Sequence, residues 1–365
     1  MRRRTTRIVV SLAAVIVLIA AVILAIFLRK RAAPETARLL PDADAFVYVN
    51  LKPLRTAGLI GQHPPEITDP EYKQFVEQTG FQFERDLDEA AFAVHLPEPI
   101  VRPGENVSPP DRYSRFSEIF EGHFDNTKVA DYFRKNAANI EKYREVEIFS
   151  IPLEGRTVRI ALLGVGTAAV SNTDGPSAIH GMIDRYKEIA LPFGGPPLIR
   201  DYYHYVPLAS LAWSIGRMPS SGPGQGSLQL PGGISTQLFL PQGTVVVTSV
   251  RYTGSVQIKA EALTQSEQQA AQVAEKANAF LSIFRGLEQT EQLRGPDPDV
   301  KAFFESLKVD QERDRAVLSA TVPQGFIKKM LQEPPIGEAP LVQGQQAPPE
   351  PVKPTPKKAP GQKRH

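Results

Sequence analysis

Cysteine is absent from the 365 residues, which excludes a disulfide framework and any thiolate metal centre. Histidine is sparse, at positions 63, 95, 123, 180, 204 and 365, and no two stand at metal-ligand spacing. The short signatures of nucleophilic and metal-assisted hydrolysis are missing too: no Gly-x-Ser-x-Gly elbow, no His-Glu-x-x-His and no Ser-x-x-Lys. Pro219 to Gly226 is rich in glycine but lacks the Gly-Lys-Ser/Thr ending of a phosphate loop, so it reads as a turn. Cationic excess is missing where it would matter for nucleic acid. Residues 32–352 hold 30 basic against 40 acidic side chains, and a body of net charge −10 cannot gain the phosphate contacts on which such binding depends.

Long apolar runs are also missing, with one exception. Ile8 to Leu28 contains no charge, proline or glycine, and Ser11 is its only polar side chain. As a helix it would be about 30 Å long, the thickness of a bilayer's hydrocarbon core. Arg2, Arg3, Arg4 and Arg7 precede it, and Arg29, Lys30 and Arg31 follow. The run is too long for the apolar region of a cleaved signal peptide, and it ends in cations instead of a small-residue cleavage site. The expectation is an uncleaved single transmembrane helix that makes the lipid bilayer a partner through residues 8–28. Four basic residues before it against three after it favour a cytoplasmic N-terminus with the bulk outside.

The rest of the chain divides by composition. After a basic flank (1–7) and the span (8–28) come a linker (29–38) and a first α+β module (39–190). A hinge or irregular region (191–233), a second α+β module (234–332) and a disordered tail (333–365) follow. In the first module, strands are expected at Phe46–Leu51, Ala90–Leu96, Tyr113–Phe124, Val146–Ile151, Thr157–Leu163 and Thr167–Ser171. Helices are expected at Pro70–Gly80, Thr127–Ile140 and Ser177–Ile189, and Pro97–Arg112 is a proline-rich loop. Short links make the sheet antiparallel, with helices packed on one face. An aromatic helix is expected over Tyr202–Ile215. The second module repeats the pattern: a hairpin at Gly243–Tyr252 and Ser255–Ala262, then a helix opened by a Thr264–Glu267 capping box. Further helices at Asp297–Leu307 and Gln324–Leu331 flank a strand at Ala316–Val322. The tail holds nine of the 33 prolines and too little apolar surface to order itself.

Candidate sites are few. Glu121, His123 and Asp125 alternate along an expected strand and share one face, which would suit a divalent metal or acid–base chemistry; the plainer reading is the wet face of a half-buried sheet. Gly164-x-Gly166-x-x-Ala169 has the opening letters of a dinucleotide fingerprint. The following helix is interrupted by Asn172, Gly175 and Pro176, so a hairpin accounts for the same letters. Tyr202, Tyr203, His204 and Tyr205, with Trp213, form a binding-patch candidate set against a core reading. The basic tail residues Lys353, Lys357, Lys358, Lys363 and Arg364 could meet anionic surfaces. No cofactor is expected.

Three stretches carry a resemblance: Leu39-Leu40-Pro41-Asp42-Ala43-Asp44-Ala45-Phe46-Val47-Tyr48-Val49, Phe120-Glu121-Gly122-His123-Phe124-Asp125 leading into a helix, and Gly166-Thr167-Ala168-Ala169-Val170-Ser171 followed by Ala178 to Tyr186. They resemble a bacterial family of unknown function, whose members join one N-terminal membrane helix to an exported α+β domain. The resemblance covers residues 39–190 and attaches no catalytic residue. It implies one membrane helix joined to an exported α+β body. The anchor, the acidic body and the absence of a convergent catalytic constellation lead to the expectation that this periplasmic body acts by binding, as scaffold, sensor or envelope-assembly factor with a protein or envelope partner. The alternative is an anchored metal-dependent hydrolase built on Glu121, His123 and Asp125.

Overall fold

The computed structural model describes residues 32–325, apart from 57, 59, 61–66, 68, 97–114, 154, 189–193, 219–228, 231–233, 236–238 and 291–297. The expected membrane span, the Pro97–Arg112 and Pro219–Gly226 loops, most of the expected last helix and the basic tail lie outside the described residues. Among the described residues, no helix is long and apolar enough to cross a membrane.

Twelve strands form one sheet, antiparallel at every pairing: β1 (Ala45–Asn50), β2 (Leu87–His95), β3 (Arg115–Gly122), β4 (Asn139–Tyr143), β5 (Val146–Leu153), β6 (Arg156–Gly164), β7 (Thr167–Ser171), β8 (Ala212–Arg217), β11 (Val245–Tyr252), β12 (Val256–Leu263), β13 (Lys308–Glu312) and β14 (Arg315–Val322). Across the sheet the order is β13-β14-β12-β11-β8-β1-β2-β3-β7-β6-β5-β4. A separate two-stranded ladder joins β9 (Gln229–Leu230) to β10 (Ile234–Ser235). The halves meet where β1 pairs β8, with Phe46 opposite Ile215 and Tyr48 opposite Trp213. From that seam the first half runs outward through β2, β3, β7, β6, β5 and β4, with a helix after β3, and the second through β11, β12, β14 and β13, with two helices after β12.

Period-2 alternation gives the sheet two faces. The near face carries Phe46, Tyr48, Ala91, Ile119, Ala169, Trp213 and Val247 in the main core. Covering it are α1 (Glu35–Leu39), α6 (Ser177–Lys187) and α7 (Pro197–Tyr202), through Leu39, Ile179, Met182, Ile183, Leu198 and Ile199. Beyond α2 (Lys52–Thr56), the far face is met by α3 (Pro70–Thr79), α4 (Phe83–Asp86) and α5 (Asn126–Asn136) at one end. At the other end lie α8 (Glu267–Thr290) and α9 (Pro298–Ser306). Helices therefore pack on both faces, where one had been expected. The reason is visible in β3: Ile119 points to one side and Phe116 and Phe120 to the other, so each face has apolar area to cover.

Two further expectations are corrected. The helix read over Tyr202–Ile215 stops at Tyr202, passes through one 3₁₀ turn (Tyr203–Tyr205) and gives way to β8. Pro207 removes a backbone donor, and Ala209 sits at φ 60°, so the helix cannot continue. Residues 191–233 thus contain a strand near the middle of the sheet. The expected linker 29–38 runs into a helix, Glu35–Leu39, whose Ala37 and Leu39 are buried.

Candidate functional site

Among the described residues, the far face of the first half does not close. A cavity of about 510 Å³ lies between the sheet and α3, α4 and α5. Its floor is built by register. Glu118 on β3 stands between Phe92 of β2 and Val170 of β7, and Phe120 stands between Ala90 and Ala168. Ile160 of β6 sits opposite Val170, and Val158 opposite Ile151 of β5, so one side-chain period brings these residues to the same surface.

Capped helices hold the roof. Asp69 Oδ1 accepts from the Glu71 and Tyr72 amides at 2.8 and 3.0 Å to open α3, and Gly80 closes it at φ 74°. Asp125 Oδ1 accepts from Thr127 N at 2.9 Å and opens α5. From these helices Tyr72, Phe75, Val129, Tyr132 and Phe133 face the cavity, joined by Phe81, Phe83 and Phe124. The rings pack edge to face: Phe75 on Tyr132 at 5.2 Å, Phe81 on Phe124 at 5.4 Å and Phe83 on Phe120 at 6.0 Å. Tyr72 ties the roof together by donating to Glu84 Oε2 at 2.7 Å and accepting from Phe83 N at 3.0 Å. At the rim Phe83 and Leu153 leave 36% and 54% of their surface exposed, so apolar surface faces water at the mouth.

One lining group is out of keeping with the rest. Glu118 reaches the cavity from the floor, and burial alone pushes its carboxyl up to about 7. No described residue gives it a hydrogen bond or an ion pair. Sequence reading passed over it because both neighbours on its own face, Phe116 and Phe120, are apolar. A lone carboxylate two residues from each of two phenylalanines on a strand was the signal available.

The residues singled out beforehand are placed elsewhere. Glu121 lies on the near face opposite Glu89, its carboxyl raised by burial and then by the charges of Glu35 and Asp88. β3 ends at Gly122. His123, mostly exposed, is 3.5 Å from Asp88 through Nδ1, and Asp88 also pairs with Arg55 at 2.7 Å. Asp125 is committed to capping α5. The three therefore do not converge, and among the described residues no group of three or more His, Cys, Asp and Glu is placed to hold a metal ion. The aromatic segment is not an exposed patch either. Trp213 is 3% exposed, stacked on Tyr48 at 5.5 Å and edge-on to Tyr203 at 5.4 Å. Burial pushes the Tyr203 phenol up to about 12. Tyr205 lies under the Arg315 guanidinium at 5.3 Å, and His204 alone of the five is exposed.

Gly164 and Gly166 serve a hairpin. Gly166 turns β6 into β7 at φ 72°, and a Cβ there would stand 2.3 Å from the Gly122 carbonyl oxygen. Asn126 clamps the turn, donating to Gly164 O at 2.7 Å.

No family model matches the chain, and no curated protein matches it. Among solved structures, crystal forms III, I and IV of TP0453 are similar at 9%, 9% and 10% identity, with TM-scores of 0.42, 0.39 and 0.38. The matches cover 82% of this chain and 97%, 97% and 98% of theirs. A likeness this distant transfers no ligand and no residue role.

Proposed function

We propose that this chain is a single-pass protein, anchored through residues 8–28 with its N-terminus in the cytoplasm, whose α+β body lies outside the cytoplasmic membrane and works by binding, without catalysis. The cavity roofed by α3, α4 and α5 carries this reading. Its volume falls in the range of about 300–1,000 Å³ occupied by ligand sites, and its wall is apolar with very few polar groups, the usual make-up of such a site. The apolar mouth at Phe83 and Leu153 gives an apolar guest a way in. The acidic body and the basic flanks of residues 8–28 agree with a tethered, extracytoplasmic role.

Two measurements test it. The full chain in phosphatidylcholine vesicles, titrated calorimetrically with 1-hexanol against protein-free vesicles, is expected to bind in excess of the blank. Ala168→Trp, which fills the cavity floor, abolishes that excess; equal uptake by the variant removes the cavity as the site. Alkaline phosphatase fused to the C-terminus is expected to be active, and a well-expressed inactive fusion overturns the topology.

A further inference from the structure

Resting on the reading of the cavity as a binding site, we infer that its ligand is an organic cation: an amine or quaternary ammonium carried on an apolar chain, held against Glu118 and the surrounding rings. Three observations converge on this class. Of the seventeen residues lining the cavity, eight are aromatic, and ring faces attract alkylammonium groups, most strongly where water is excluded. Among the described residues, the lining includes two carboxylates, Glu71 and Glu118, and no lysine, arginine or histidine, so it repels carboxylates and phosphates and offers them no partner. Glu118, finally, has no cation of its own among the described residues. A buried carboxylate is expected to be paired or neutralised, and here the missing counter-charge is left for a guest to bring.

Among the described residues, no cation lines the cavity around Glu118. Phe92 and Val170 flank it across the sheet. The roof presents Tyr72 and, at the mouth, the exposed Glu71 from α3, Phe83 from α4 and Tyr132 from α5. Arg134 of α5 is taken by Asp131 at 2.7 Å and Glu147 at 2.6 Å. Arg156 shares the face of Val158 on β6 but does not line the cavity. His95 and Arg115 lie on the opposite face, with Ser117.

The pH dependence has a definite sign. Burial alone holds the Glu118 carboxyl up at about 7, so a permanent cation binds best above that pH, where its partner is ionised. Binding below it must first expel a proton.

The test compares hexyltrimethylammonium, 1-hexanol and hexanoate, which share a chain length, on the full chain in phosphatidylcholine vesicles. At pH 8 the cation is expected to bind at least tenfold tighter than the alcohol, and hexanoate not measurably. Lowering the pH to 6 weakens the cation roughly tenfold and leaves the alcohol alone, since one pH unit below the midpoint removes about nine-tenths of the ionised partner. In Glu118→Gln, cation and alcohol converge to within about twofold, and circular dichroism shows whether that variant is folded. Alcohol binding without a preference for the cation, or a Glu118→Gln variant that keeps the preference, overturns this inference while the cavity survives as a binding site. Failure of all three probes removes both.

Discussion

Glu118 is the residue at which the fold is at odds with itself. A carboxyl held at about 7 by burial, against an ordinary value of 4.5, keeps its proton in the native state while the unfolded chain has released it. Between about pH 4.5 and 7 the native state therefore binds more protons, so stability falls as pH rises through that window and is level above it. Glu118→Gln removes the ionisation and keeps the shape. Variant and natural protein are expected to match near pH 4.5, with the variant more stable by about 1–3 kcal/mol at pH 8, the upper end being the full shift and the lower allowing for water in the cavity. Urea midpoints at the two pH values check this; a gap that does not change with pH refutes the buried-carboxyl account. Such a residue is hard to read from sequence, because isolated charge within an apolar strand has no period. Glu121, His123 and Asp125 had a period and still are not brought together. Alternation fixes which face a side chain takes and says nothing about what waits there: Asp88 for His123, and two amides for Asp125.

Among elements, boundaries were less legible than existence. The helix opened near residue 265 was readable from its apolar stripe, but its cap lies two residues later than Thr264. Ser266 Oγ accepts from Gln269 N at 3.3 Å, and the Gln269 side chain returns to Gln265 N at 3.2 Å. Thr264 instead donates to the Ser266 and Asp314 carbonyls at 2.9 Å each, fastening the helix entry to the β13–β14 turn. Both Thr264–Glu267 and Ser266–Gln269 satisfy the same spacing rule, and only the position of the first helical turn separates them. Ser266→Ala is expected to cost about 1 kcal/mol, whereas Glu267→Ala, whose side chain makes no hydrogen bond among the described residues, stays within about 0.5 kcal/mol. Thermal unfolding of the two variants separates the caps; the reverse order would restore the earlier box. Strand β8 was hidden for a different reason. Its buried residues, Trp213 and Ile215, are only two, and the tyrosines before them at a helix-like spacing outweighed a six-residue alternation.

At the scale of the molecule, the two halves treat the same layer differently. In the second, α8 settles directly on small residues, with Val273 and Ala274 against Ala262 and Ala316, and the far face closes. In the first, α5 rests on β5 with Phe133 on Phe149 at 5.9 Å and meets α3 with Tyr132 on Phe75 at 5.2 Å, and the cavity lies between these helices and the rest of the sheet. The strand–strand–helix recurrence was visible in the sequence. That both halves belong to one sheet was not, because the joining contacts are non-local: β1 and β8 lie more than 150 residues apart in the chain. That seam leads to a prediction about cooperativity. The protein's single tryptophan sits in it, packed on Tyr48 from one half and Tyr203 from the segment leading to the other. Parting the halves would strip β1 and β8 of the ladder between them and expose Phe46, Tyr48, Trp213 and Ile215 together, so a state with only one half folded is strongly disfavoured. In a urea titration of the full chain in vesicles, Trp213 fluorescence and far-ultraviolet ellipticity are expected to change in one step with a common midpoint. A second ellipticity step that leaves the tryptophan signal untouched would mean that the halves fold independently, with β1–β8 as a weak contact between them.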